Sequence, residues 1–148
     1  EMLRFFEALE PIDPRWPGTL ARMRGNLDGL LEAAPRFLAA LGEGAYAYEH
    51  LAVYYVYRYW MKAAFDGELL SRMKFALCGL LVQLLWDVDR WVRTGGYTPD
   101  DRVESAKAFS KEMEYGPDNL AAFLKKSWEL DRFSSEAIGG MLGICRCE

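Results

Sequence analysis

Six side chains in this chain are candidates for chemistry or binding: Glu49, His50, Tyr57, Arg58, Lys74 and Glu112. His50 is the only histidine, hence the only group whose ordinary pKa suits proton transfer near neutrality. It could act as a general base, but no Ser or Cys stands near it in sequence to serve as a nucleophile. A surface histidine is the plainer reading. Glu49 and Lys74 invite explanation because each falls on an apolar arc at 100° per residue. A buried carboxylate without a partner would be protonated or expelled, so Glu49 requires a cation or a hydroxyl beside it. The two are about ten residues out of register across a helical hairpin, or ~15 Å at 1.5 Å per residue, so they do not pair with each other. Each either lines a pocket or is structural, Glu49 in an ion pair and Lys74 with a snorkelling stem. Tyr57 and Arg58 share the same aromatic stretch as candidate pocket or interface groups. Glu112 joins them, although with Glu104 and Glu114 it reads as the solvated border of an amphipathic helix.

Several familiar chemistries find no support. No G-x-G-x-x-G or G-x-x-x-x-G-K-[ST] phosphate loop is present. One histidine cannot build a His-rich metal site, and no E-x-x-H occurs, which removes a di-iron bundle. Cys78 lies in an apolar run and reads as a buried thiol. Cys145-Arg146-Cys147 is half a metal site at best, so no metal is expected. A net charge of −4 argues against nucleic acid. The longest apolar run, 75–86, is too short for a bilayer, so no membrane is expected. An odd cysteine count without a secretory signal suggests a cytoplasmic location. The chain begins without Met and reads as part of a longer protein.

The elements that must position these groups are helices. Residues 2–9 form a short amphipathic helix, followed by a Pro-rich lead-in to residue 18 in which Pro14 and Pro17 hold Trp16 extended. Thr19 caps a helix to about Ala33, and Pro35 breaks or restarts it. The tyrosine-rich helix runs from about Ala45 to Phe65 and stops at Asp66-Gly67. Its apolar face is read as Val53, Val56, Tyr57, Trp60 and Ala64, around Glu49. The next helix covers about 68–93, with Leu77, Leu81, Leu84, Leu85, Val88 and Val92 inward and Arg72, Gln83, Asp87 and Arg90 on a wetter side with Phe75 and Trp86. Thr98-Pro99-Asp100-Asp101 is a strong helix start. Further helices follow over 119–132 and from Ser134. Short turns between long helices predict one all-α domain over 1–148, an up-and-down antiparallel bundle of four to six helices.

Two blocks carry a family resemblance. Tyr48-Glu49-His50-Leu51, Tyr54, Tyr57-Arg58-Tyr59, Asp66-Gly67 and Lys74-Phe75 form the first. Ser110-Lys111-Glu112-Met113-Glu114-Tyr115 with Asn119-Leu120 forms the second. In order and spacing they resemble the helical C-terminal portion of flagellin lysine-N-methylases and their cysteine-cluster relatives. The resemblance spans roughly residues 45–125. His50, Phe109 and Tyr115 depart from the pattern, and the cysteine-rich segment is missing. It implies a link to lysine methylation of flagellin, with S-adenosylmethionine as methyl donor and an iron–sulfur cluster in the full-length protein. It assigns no catalytic residue here. The expectation is a non-catalytic module that shapes or presents flagellin, or another protein substrate, to the cysteine-rich part. The alternative is a ligand-sensing or dimerisation domain with an aromatic-lined cavity.

Overall fold

The computed structural model describes residues 1–129, without the side chains of Pro117, Trp128 and Glu129. The helix expected from Ser134 and the cysteines at 145 and 147 lie outside the described residues. The described residues contain eight α-helices and no strand. They are α1 (Met2–Glu7), α2 (Trp16–Gly25), α3 (Leu27–Leu41), α4 (Tyr46–Tyr59), α5 (Ala63–Asp66), α6 (Leu69–Thr94), α7 (Pro99–Glu114) and α8 (Pro117–Glu129). Single 3₁₀ turns join α3 to α4 and α4 to α5. The all-α expectation is met.

Three boundaries follow from residues that leave the backbone little choice. Gly67 and Gly95 end α5 and α6 at φ 74° and 70°, a left-handed conformation that glycine adopts without a Cβ clash. Thr98 opens α7 with a full capping box. Its hydroxyl accepts from the Asp101 N–H, and the Asp101 carboxylate accepts from the Thr98 N–H at 2.8 Å.

Two boundaries correct the sequence reading. Trp16 and Pro17 are not an extended lead-in but the first turn of α2, where proline's fixed φ suits a helix and its missing N–H costs nothing. Thr19 therefore lies inside α2. The chain turns at Asn26, not at Pro35, which sits within α3. The apolar face of α3, with Leu30, Ala33, Ala34 and Phe37 all buried, carries the helix through the proline. The tyrosine-rich helix is also shorter than expected, giving way to a 3₁₀ turn at Trp60–Lys62.

Helix α6 is the hub. It packs against α2, α3, α4, α5, α7 and α8, and α1 lies on α2. These contacts do not by themselves set an up-and-down order, but the local pairings are antiparallel. Tyr59 meets Phe75, Tyr55 meets Gly79 and Gln83, and Tyr48 meets Asp87 as α4 and α6 run in opposite directions. Likewise α7 runs back along α6, pairing Arg90 with Asp101 and Asp87 with Ser105.

The hub position overturns the assignment of a wet side to α6. Arg72, Phe75, Gln83, Asp87 and Asp89 are buried along with Leu81, Leu85 and Val88, whereas Arg90 keeps to the wetter side and Val92, expected inward, is exposed. By length and hydropathy α6 could cross a membrane, yet most of its apolar window is enclosed by neighbouring helices, the setting of a core helix. The core is rich in aromatic rings. Phe6, Phe75, Phe109 and Phe123 are fully buried and lie at ring distances of 5.3 to 5.9 Å in the pairs Phe6–Phe109, Phe6–Phe123, Phe75–Phe109 and Phe75–Phe123. Aromatic pairs at such distances add to the area they bury. Gly79 is tight for a reason: a Cβ there would stand 2.9 Å from the Tyr55 hydroxyl and 3.0 Å from Phe109.

Candidate functional site

The six candidate residues separate once they are placed. Glu49, His50, Tyr57 and Arg58 are exposed on α4. Glu49 therefore does not face inward as expected. The buried face of α4 is set by Tyr55 and Tyr59, with Tyr48 and Leu51 packed beside them, about a third of a turn from Glu49. Val53 and Tyr57, expected on the apolar face, are exposed instead. The helix instead buries tyrosine rings, and the hydroxyls of Tyr55 and Tyr48 meet Gln83 and Asp87 of α6. His50 stacks edge-on with Tyr46 at 4.9 Å. Arg58 pairs with Glu114 of α7, which also accepts from the Tyr54 hydroxyl at 2.7 Å. Lys74 is partly buried and donates from Nζ to the Ser127 carbonyl, 2.9 Å away, near the end of the described part of α8.

Glu112 is the largest correction. It is not a solvated border residue but 1% exposed. Its two oxygens accept from the backbone N–H groups of Ile12 and Asp13 at 2.8 and 2.6 Å. Asn119 completes the clamp, donating to the carbonyls of Glu10 and Glu112. Three distant segments are thereby fastened by one carboxylate and one amide. A charged acceptor of this kind is worth more than a neutral one.

A second buried carboxylate escaped the sequence reading. Asp87, 1% exposed on α6, accepts from the Ser105 hydroxyl at 2.6 Å and the Tyr48 hydroxyl at 2.7 Å. Arg102 lies over the rings of Tyr48 and Tyr97 and donates to the Gly44 carbonyl. Burial pushes the Asp87 carboxyl above its ordinary range, and the hydroxyl donors only partly offset this. The folded state therefore holds the Asp87 proton more tightly than the unfolded chain. That contribution is complete below about pH 4 and is lost as the pH rises through the raised folded value. In Asp87→Asn the difference in melting temperature, variant minus wild type, is expected to climb as the pH is raised from 4 towards 7. A flat difference would show that the carboxyl titrates as it does in the unfolded chain.

The open cavity of interest lies elsewhere, between α2, α6 and α7. It is a cleft of about 490 Å³ that includes Trp16, Trp86 and six cations: Arg15, Arg22, Arg90, Arg93, Lys107 and Lys111. The Trp16 and Trp86 rings lie 5.6 Å apart, and Trp16 donates its indole N–H to the Phe6 carbonyl. Carboxylates fix several of the cations. Asp89 accepts from Arg22 at 2.9 Å and from Arg93 at 3.0 Å, and Asp101 pairs with Arg90 at 2.7 Å. At the rim Arg15 holds Asp13, whose carboxyl its hydrogen bonds keep well below the usual range. No sequence run announced this cleft, because its cations come from three helices.

Among the described residues no group of three or more His, Cys, Asp or Glu could hold a metal ion. An iron–sulfur cluster needs several thiolates. The described residues offer only Cys78, whose thiol is buried and pushed up to about 12, so they do not fit such a cluster. The family model described as FliB lysine N-methylase C-terminal domain matches residues 1–138. No curated protein and no solved structure matches the chain.

Proposed function

The chain belongs to the FliB lysine N-methylase C-terminal domain family, and from that premise we propose that it is a helical module that presents a protein substrate, flagellin or a similar protein, for lysine methylation performed elsewhere in the polypeptide. One observation carries the reading: a ridge of large apolar side chains stands out from α4, α5 and the turn between them, with nothing packed on it among the described residues. Tyr57 is 72% exposed, Met61 60% and Phe65 93%, with Tyr46 and Val53 also exposed on α4. An apolar strip of this kind costs solubility unless a partner covers it, and aromatic side chains are the usual anchors of such contacts.

The internal polar groups support the same division of labour. Glu112, Asp87 and Asp89 spend their oxygens on backbone N–H groups, hydroxyls and guanidinium groups of this chain. They hold helices together. The methyl donor and the cysteine cluster would be held by the remainder of the methylase.

The test is kinetic. In the intact methylase, Tyr57→Ser combined with Phe65→Ser is expected to raise KM for the protein substrate roughly tenfold, as loss of two interface anchors would. The KM for S-adenosylmethionine should not move, and neither should the melting temperature, because both side chains lie outside the core.

A further inference from the structure

We propose that the cleft between α2, α6 and α7 binds an acidic segment of the protein substrate, through its carboxylates. This rests on the substrate-presenting reading above and adds what the domain selects. The chain as a whole is acidic, with 18 Lys and Arg against 22 Asp and Glu, yet six of those cations gather in one cleft. A concentration of cations against the net charge, over a low-dielectric floor, steers and holds anions.

The cations are also pre-set. Asp89 is 3% exposed and takes Nε and Nη2 of Arg22 and Nε of Arg93. The remaining guanidinium nitrogens of both arginines make no hydrogen bond among the described residues. They are held in place before a ligand arrives, which lowers the ordering cost of binding. Lys107 has no ion pair among the described residues, and it lies on the wall that the cleft shares with a smaller pocket beside Tyr54 and Glu114. Half-buried Trp86 gives the floor an apolar surface for the methylenes of a glutamate or for a neighbouring side chain.

Charge arithmetic selects carboxylate over phosphate. The six cations are offset by five carboxylates in or behind the wall: Asp13, Asp89, Asp101, Glu104 and Glu112. The cations stand interleaved with these carboxylates, a pattern that suits single charges spaced along an extended peptide. A compact polyphosphate could not reach several of the cations without meeting the carboxylates between them. The substrate's target lysine would be repelled from the same cations, so the segment bound here flanks that lysine and does not contain it.

The probes are a fluorescent ten-residue glutamate-rich peptide, its glutamine counterpart and inorganic tripolyphosphate, each titrated against the intact methylase. The glutamate peptide should bind, weakening with salt as an ion-paired contact does. Arg15→Glu combined with Lys107→Glu should weaken it roughly tenfold, since both side chains are exposed and reverse the rim charge. The glutamine peptide should not bind. Equal binding by wild type and variant, or tighter binding of tripolyphosphate than of the glutamate peptide, would overturn the assignment. The two readings fail separately. A cleft that ignores the glutamate peptide, in a methylase whose ridge variants still raise the substrate KM, rejects the acidic segment alone. Ridge variants without effect reject substrate presentation whatever the peptide does.

Discussion

Phe109→Ala lowers the unfolding free energy by about 3–5 kcal/mol, the cost of replacing a buried phenylalanine by alanine in a core that cannot fully collapse. Phe109 is 2% exposed on α7. Its ring lies 5.9 Å from Phe6 and Phe75, and 6.2 Å from Trp16 and Tyr55. It thus touches α1, α2, α4 and α6 at once, so its removal opens a void where five helices meet. The Gly79 backbone approaches the ring edge closely, which leaves little slack for neighbours to move in. Chemical denaturation of wild type and variant gives the difference directly. A loss below 1 kcal/mol would mean that these rings do not form one packed cluster.

Glu112→Ala is expected to cost about 2–4 kcal/mol, because it strands two backbone donors, each worth about 1–3 kcal/mol when left unpaired. The N–H groups of Ile12 and Asp13 have no other acceptor within the clamp. The variant should release the 10–13 segment first, since only Asn119 to the Glu10 carbonyl and the Lys111–Asp13 ion pair then tie it to α8 and α7. Glu112→Gln keeps one carbonyl oxygen but sets an NH₂ group against the second backbone donor, so it should recover only part of the loss. Hydrogen exchange at Ile12 and Asp13 reads the local part of this effect. Protection unchanged in Glu112→Ala would remove the carboxylate from the clamp.

The helical class, the caps at Thr98 and Gly67, and the buried Cys78 were legible in the sequence, because each depends on local geometry or on a local apolar run. The facing of the helices was not. Helix α4 carries tyrosines on every side, so a wheel cannot distinguish rings that reach α6 from rings that reach solvent, and Glu49 was assigned to the wrong face. Over residues 71–89 helix α6 has no exposed side, because a hub must satisfy its polar groups with neighbours in place of water. Gln83 meets Tyr55, and Asp87 meets Tyr48 and Ser105. Glu112 could not be read as buried because its partners are backbone groups about a hundred residues away, and a backbone N–H leaves no mark in side-chain patterns. The cleft was hidden for the same reason: Trp16, Trp86 and Lys107 are neighbours only after folding.

The central claim is that this domain binds the protein substrate and leaves bond-making to the rest of the methylase. Initial rates of Tyr57→Ser/Phe65→Ser in the intact enzyme, at saturating methyl donor and varied protein substrate, test it most directly. The predicted result is a substrate KM raised roughly tenfold with kcat retained, the pattern of lost ground-state binding. A collapse of kcat at unchanged KM would contradict it, because the ridge would then act in the transition state itself.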